Sequence, residues 1–201
     1  MNKQTITIVS GLPRSGTSLM MQMLEAGGLL PFTDGVRTAD ESNPKGYYEL
    51  EAVKRTKQDP SWLDNAAGRC VKMISMLLYD LPPGRAYRVI FMRRNMDEIL
   101  ASQSAMLKRR GEGQGAGDDE MRKHYEAHLQ KLELWLKAQK NISVLYCDYN
   151  SLVGKPREHV ERIREFLEIP LDVDRMTGAV DPALHRQRAK QGSLRSSGGL
   201  R

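Results

Sequence analysis

Val9-Ser10-Gly11-Leu12-Pro13-Arg14-Ser15-Gly16-Thr17-Ser18 joins a β-branched run, residues 5–9, to residues 15–26, where Leu19, Met20, Met23 and Leu24 recur at helical spacing. Two glycines four residues apart, set between a strand and a helix, have the spacing of a loop that wraps a phosphate. Glycine permits the tight turn and lets backbone N–H groups converge on anionic oxygens. The helix that follows aims its unpaired N–H groups and positive dipole end at the same point. Thr17 and Ser18 add hydroxyl donors.

Outward from this loop the chain alternates apolar runs with amphipathic segments. Residues 70–73, 87–92 and 142–146 read as further buried strands. Residues 96–108 read as a helix through Ile99, Leu100, Ala101 and Leu107. Asp118 is expected to cap a long helix reaching residue 140, with Tyr125, Leu129, Leu132 and Leu136 in its apolar stripe. Lys155-Pro156 starts another, since proline suits a first helical turn. Such alternation implies a parallel sheet covered on both faces. The expected fold is a single-domain α/β three-layer sandwich of the P-loop type, with a central, mostly parallel sheet of about four or five strands. The domain is expected over residues 1–190, followed by a flexible tail at 191–201. Residues 30–48 read as a loop over the ligand site, and residues 111–117, Gly-Glu-Gly-Gln-Gly-Ala-Gly, as a mobile connection.

Composition narrows the function classes. The 201 residues carry a formal net charge of +6, which favours anionic partners in general. Aromatic residues make up only 6% and do not interleave with the basic ones, so a stacking platform for nucleic acid is not expected. Cys70 and Cys147 each sit alone in an apolar run and read as reduced core thiols. His124, His128, His159 and His185 show no ligand spacing and are expected on helix surfaces; no metal site is expected. No apolar run approaches the roughly 18 residues that span a bilayer. The N-terminal run reads as a first strand, and a cytoplasmic protein is expected.

A loop that binds ATP through the Walker A pattern needs lysine directly after its second glycine. Here Thr17 occupies that position, and the positive charge lies earlier, at Arg14. That placement argues against ordinary ATP or GTP hydrolysis. At Pro13-Arg14-Ser15-Gly16-Thr17-Ser18 the chain resembles the family of sulfotransferases that use 3′-phosphoadenosine 5′-phosphosulfate (PAPS), in particular small bacterial members. The resemblance implies that this loop holds the 5′-phosphosulfate, with Arg14 near the oxygen bridging phosphorus and sulfur. It also implies a 3′-phosphate element, a strand ending in arginine with a serine eight residues on. Arg94 and Ser102 have that spacing, and Arg93, one residue off register, is the alternate. An arginine fork plus a hydroxyl two helical turns later suits a clamp on one phosphate. Weaker matches at residues 43–49, at Val71-Lys72-Met73 and at residues 166–170 extend the resemblance over residues 5–190.

Sulfuryl transfer to a hydroxyl or amine needs donor positioning, charge stabilisation at the leaving oxygen, and a base near the acceptor. The resemblance assigns the second task to Arg14 and Lys72. Many cytosolic members place a catalytic histidine two residues after that lysine; this chain has Ile74. Glu49, at the end of Asn43-Pro44-Lys45-Gly46-Tyr47-Tyr48-Glu49, is the preferred base. Its alternative is a place in the acidic first turn of a helix starting near Tyr48, and Asp34, Glu41 and Glu51 stand as other candidates. Two rival readings remain at this level: a P-loop kinase using Asp148 on magnesium, and a non-catalytic nucleotide-binding or nucleic-acid-binding module. The acceptor is not identified by any motif.

Overall fold

A computed structural model describes residues 5–36, 46–111 and 117–181. The expectations placed on residues 37–45, 112–116 and 182–201 lie outside the described residues. Those are most of the ligand loop, the glycine-rich connection, the tail, Glu41 and His185.

Four strands form one parallel sheet: β1 (Thr5–Gly11), β2 (Cys70–Ile74), β3 (Ala86–Arg93) and β4 (Ile142–Asp148). Their order is β2-β1-β3-β4. Around them stand α1 (Thr17–Ala26), α2 (Met96–Arg110), α3 (Asp118–Ala138), α4 (Tyr149–Gly154), α5 (Pro156–Leu167) and α6 (Val173–Gly178). Short 3₁₀ turns occupy Glu51–Arg55, Ser61–Asn65 and Ser75–Asp80. The strand order matters for function. The crossover from β1 leads to β2 on one side, while that from β3 leads to β4 on the other. Between the C-terminal ends of β1 and β3 the connections part, and open α/β sheets bind ligands in that crevice.

Alternation along the strands divides the core. Ile6 and Ile8 of β1 and Tyr87, Val89 and Phe91 of β3 pack with Leu132 and Leu136 of α3 and with Trp62 and Leu63. Val9, Ile90 and Met92 face the other way, against Met20 and Leu24 of α1 and Val160 and Ile163 of α5. Cys70 and Cys147 are free thiols buried on this second face. Among the described residues no helix is long and apolar enough to cross a membrane.

Several local expectations are corrected. The strands run one or two residues past their apolar ends, because ladder pairing carries Ser10 and Gly11 alongside Met73 and Ile74. Asp118 does not cap α3: Gly117 holds the N-cap position, and Asp118 lies in the first turn and accepts a hydrogen bond from Ser104 of α2 at 3.2 Å. The helix ends at Ala138, short of residue 140. His159 is buried, since Ser151 Oγ lies 2.9 Å from its Nε2 and Cys147 Sγ 3.6 Å from its Nδ1. His128 is half-buried with its Nε2 2.9 Å from Ser75 Oγ. The expected surface position holds for His124. α4 and α6, each six residues, are too short to show a period in sequence.

Candidate active site

The glycine loop leaves β1 at Gly11 and enters α1 at Thr17. Gly11 has φ +151°, and a Cβ there would lie 2.5 Å from Ser15 Oγ and 2.7 Å from the Met92 carbonyl oxygen. Gly16 has φ +100°, and a Cβ there would meet the Tyr149 ring at 2.3 Å. Both glycines are therefore required by the space as well as by the turn. Gly16 occupies the N-cap position of α1 without a side-chain cap, and no acidic residue stands in that first turn. Neither a cap side chain nor a first-turn carboxylate therefore competes with an anion for the N-terminal end of α1 and its dipole. Arg14 adopts φ +68°, a left-handed conformation that costs a non-glycine residue free energy and is found at functional turns. Pro13 and Thr17 flank it at intermediate exposure, whereas Ser15 is buried and its Oγ has no hydrogen-bond partner among the described residues.

On the β3 side, the arginine that faces the loop is Arg94. Its Nη1 donates to the Arg14 carbonyl oxygen at 3.2 Å, and its Cζ lies 4.4 Å from the centre of the Tyr149 ring. Arg14 Nε donates to Ser102 Oγ at 3.0 Å. Arg14, Arg94 and Ser102 are thereby brought together from a loop, a strand end and a helix. Arg93 points away, with its Cζ 3.9 Å from the Tyr146 ring centre and its guanidinium 3.4 Å from Glu133. One step along an extended chain reverses the side chain, which is why the one-residue register matters.

On the β2 side, Lys72 Nζ donates to Ser18 Oγ at 3.2 Å and to the Tyr47 carbonyl oxygen at 2.7 Å. Glu49 Oε1 lies 3.9 Å from the same nitrogen. Tyr48, at φ +55°, bends the chain so that the Tyr47 carbonyl and the Glu49 carboxylate both reach Lys72. Glu49 precedes the 3₁₀ turn that starts at Glu51, so the first-turn alternative does not describe it. Asp34 is otherwise engaged: its carboxylate accepts from the Glu51 N–H at 2.6 Å and the Val36 N–H at 3.0 Å. These bonds, the Glu51 amide first, hold its pKa below the ordinary carboxylate range. Glu51 pairs with Lys54 at 2.6 Å.

Two further residues escaped sequence reasoning. Glu98 accepts from Arg94, and Asn150 donates to Glu98. The i,i+4 spacing of Arg94 and Glu98 was a usable signal; nothing local linked either to Asn150.

The model of the sulfotransferase domain matches residues 4–187. The chain belongs to the sulfotransferase family. No curated protein sequence matches this sulfotransferase significantly. Among solved structures it is similar to a sulfotransferase domain from the curacin biosynthetic pathway, with TM-score 0.52 and 15% identity, covering 89% of this chain and 78% of that one. A sulfotransferase from Alicyclobacillus acidocaldarius gives TM-score 0.47 at 15% identity, with 85% and 83% covered. A sugar kinase from Janibacter sp. HTCC2649 gives 0.39 at 14%, with 90% and 98% covered. At such identity the first likeness speaks for the fold alone. The residue on which a kinase reading placed magnesium, Asp148, serves as N-cap of α4, accepting from the Ser151 N–H at 2.7 Å.

Proposed function

We propose that this sulfotransferase takes its sulfuryl group from PAPS and passes it to a hydroxyl or amine acceptor. The observation that carries the reading is the convergence of Arg14, Arg94 and Ser102 at an uncapped helix start, with Lys72 reaching the same helix from β2 and Glu49 standing beside Lys72 from the preceding loop. The donor, when bound, supplies an activated sulfur joined to phosphate through one bridging oxygen. The residues present fit it, because an N–H-lined turn closed to any Cβ suits the 5′-phosphosulfate and an arginine–serine pair suits the 3′-phosphate.

In the step so assigned, the acceptor oxygen or nitrogen bonds to sulfur as the bond from sulfur to the bridging oxygen breaks. The electron pair of that bond goes to the bridging oxygen, where Arg14 and Lys72 stabilise charge that is absent in the ground state. Glu49 takes the acceptor's proton. Its closeness to Lys72 puts proton acceptance and charge stabilisation side by side.

Calorimetry tests the donor assignment. Adenosine 3′,5′-bisphosphate should bind more tightly than ADP or AMP, and Arg94→Ala should erase most of that preference, since a charge-assisted clamp contributes about 1.5–3 kcal/mol. Equal affinity for ADP and the bisphosphate would overturn the assignment. Label from PAPS should then appear in components of a lysate, with chelator present.

A further inference from the structure

Glu98 stands where a carboxylate is least expected, inside a site read as binding anions, with its side chain only 2% exposed. A buried charge is costly unless it is paired and hydrogen-bonded. Both oxygens of this one are engaged: Oε2 accepts from Arg94 Nε and Oε1 from Asn150 Nδ2, each at 2.8 Å. The Arg94 guanidinium is consequently held on three sides. Its Nε edge meets Glu98, its Nη1 meets the Arg14 carbonyl, and its face lies on Tyr149. The contacts come from α2, the glycine loop and α4.

We propose that Glu98 is a positioning residue that orients Arg94 to receive the 3′-phosphate, and that Asn150 anchors this orientation to α4. The proposal rests on the PAPS reading above. Guanidinium recognition of phosphate is directional, because the donors sit in a rigid planar fork. A fork whose Nε edge is tied to a buried carboxylate is pre-set before ligand arrives, and binding then needs less ordering. Spending the carboxylate's charge on that edge also keeps it from opposing the phosphate. An arginine that loses this partner is held less firmly, and discrimination for the 3′-phosphate falls with it.

The test is calorimetry on the full chain with adenosine 3′,5′-bisphosphate and with AMP. Glu98→Gln keeps shape and removes the charge. It should cut the preference for the bisphosphate about tenfold while leaving AMP affinity nearly unchanged. Asn150→Ala should move the preference in the same direction by less. In an Arg94→Ala background, Glu98→Gln should change the preference no further, a result that a merely structural role for Glu98 does not produce. If Glu98→Gln does not fold, Asn150→Ala decides alone. A preference kept or raised in the folded single variants overturns the inference and leaves the donor reading intact. A wild-type chain with no preference for the bisphosphate overturns both.

Discussion

At the scale of single residues, Gly16 and Glu49 show how geometry turns into expected outcomes. Gly16 combines φ +100° with a ring 2.3 Å from where a Cβ would sit, so Gly16→Ala is strained in backbone and side chain together. Strain of this kind costs about 1–3 kcal/mol. Denaturant titration should show the loss, and bisphosphate affinity should fall with it; unchanged stability and affinity would contradict the loop geometry. Glu49→Gln keeps size and hydrogen bonding but cannot take a proton at neutral pH. Losing a positioned base lowers rates by about 10²–10⁴-fold, so turnover should drop by that order while bisphosphate affinity stays the same. Asp34→Asn should spare turnover by comparison, because Asp34 already serves the Glu51 and Val36 amides. Near-normal turnover in Glu49→Gln would remove Glu49 from the chemistry.

At the scale of elements, α5 carries a pH dependence. His159 on α5 is packed against β4 and α4, and burial first, then Arg162, lowers its pKa from the ordinary 6.5. The unfolded chain therefore takes up this proton more readily than the folded one. Stability is fully present above the unfolded pKa and is lost as pH falls through the folded value. Burial acts in the same direction on His128. Melting temperature should thus decline on acidification below about pH 6.5, and the decline should be shallower in His159→Gln. An identical pH profile in the variant would show that this ring is not responsible. The sequence indicated α5 through Pro156, Val160 and Ile163, but it placed His159 outside. Only the Ser151 and Cys147 contacts, drawn from elements ahead of it in the chain, explain its burial.

At the scale of the whole molecule, the second core face binds α1, α5 and α6 to the sheet and encloses both cysteines. Burial pushes the thiols of Cys70 and Cys147 up to about 12, so neither forms thiolate at neutral pH in the folded protein. A thiol reagent should label neither until the sheet opens, and both labelling rates should follow unfolding as denaturant is raised. Rapid labelling of one thiol in the native protein would show that its part of the core opens locally.

What the sequence determined by itself is what depends on local order. The glycine spacing from Gly11 to Gly16, the absence of lysine at Thr17, the apolar runs that become four parallel strands, and the spacing from Arg94 to Ser102 are all read along one stretch of chain. They named the family and the fold. The tertiary structure decided what depends on the order of strands in the sheet. Placing β3 beside β1 sets Arg94 against the Arg14 carbonyl, and placing β4 on the other side of β3 gives Arg93 the Tyr146 ring. The bend at Tyr48 brings Glu49 to Lys72, and α4 delivers Asn150 to Glu98. Each of these meetings joins residues far apart in the chain, and side-chain contacts between distant segments follow from which strands pair, a choice made by burial of both sheet faces together rather than by any local pattern.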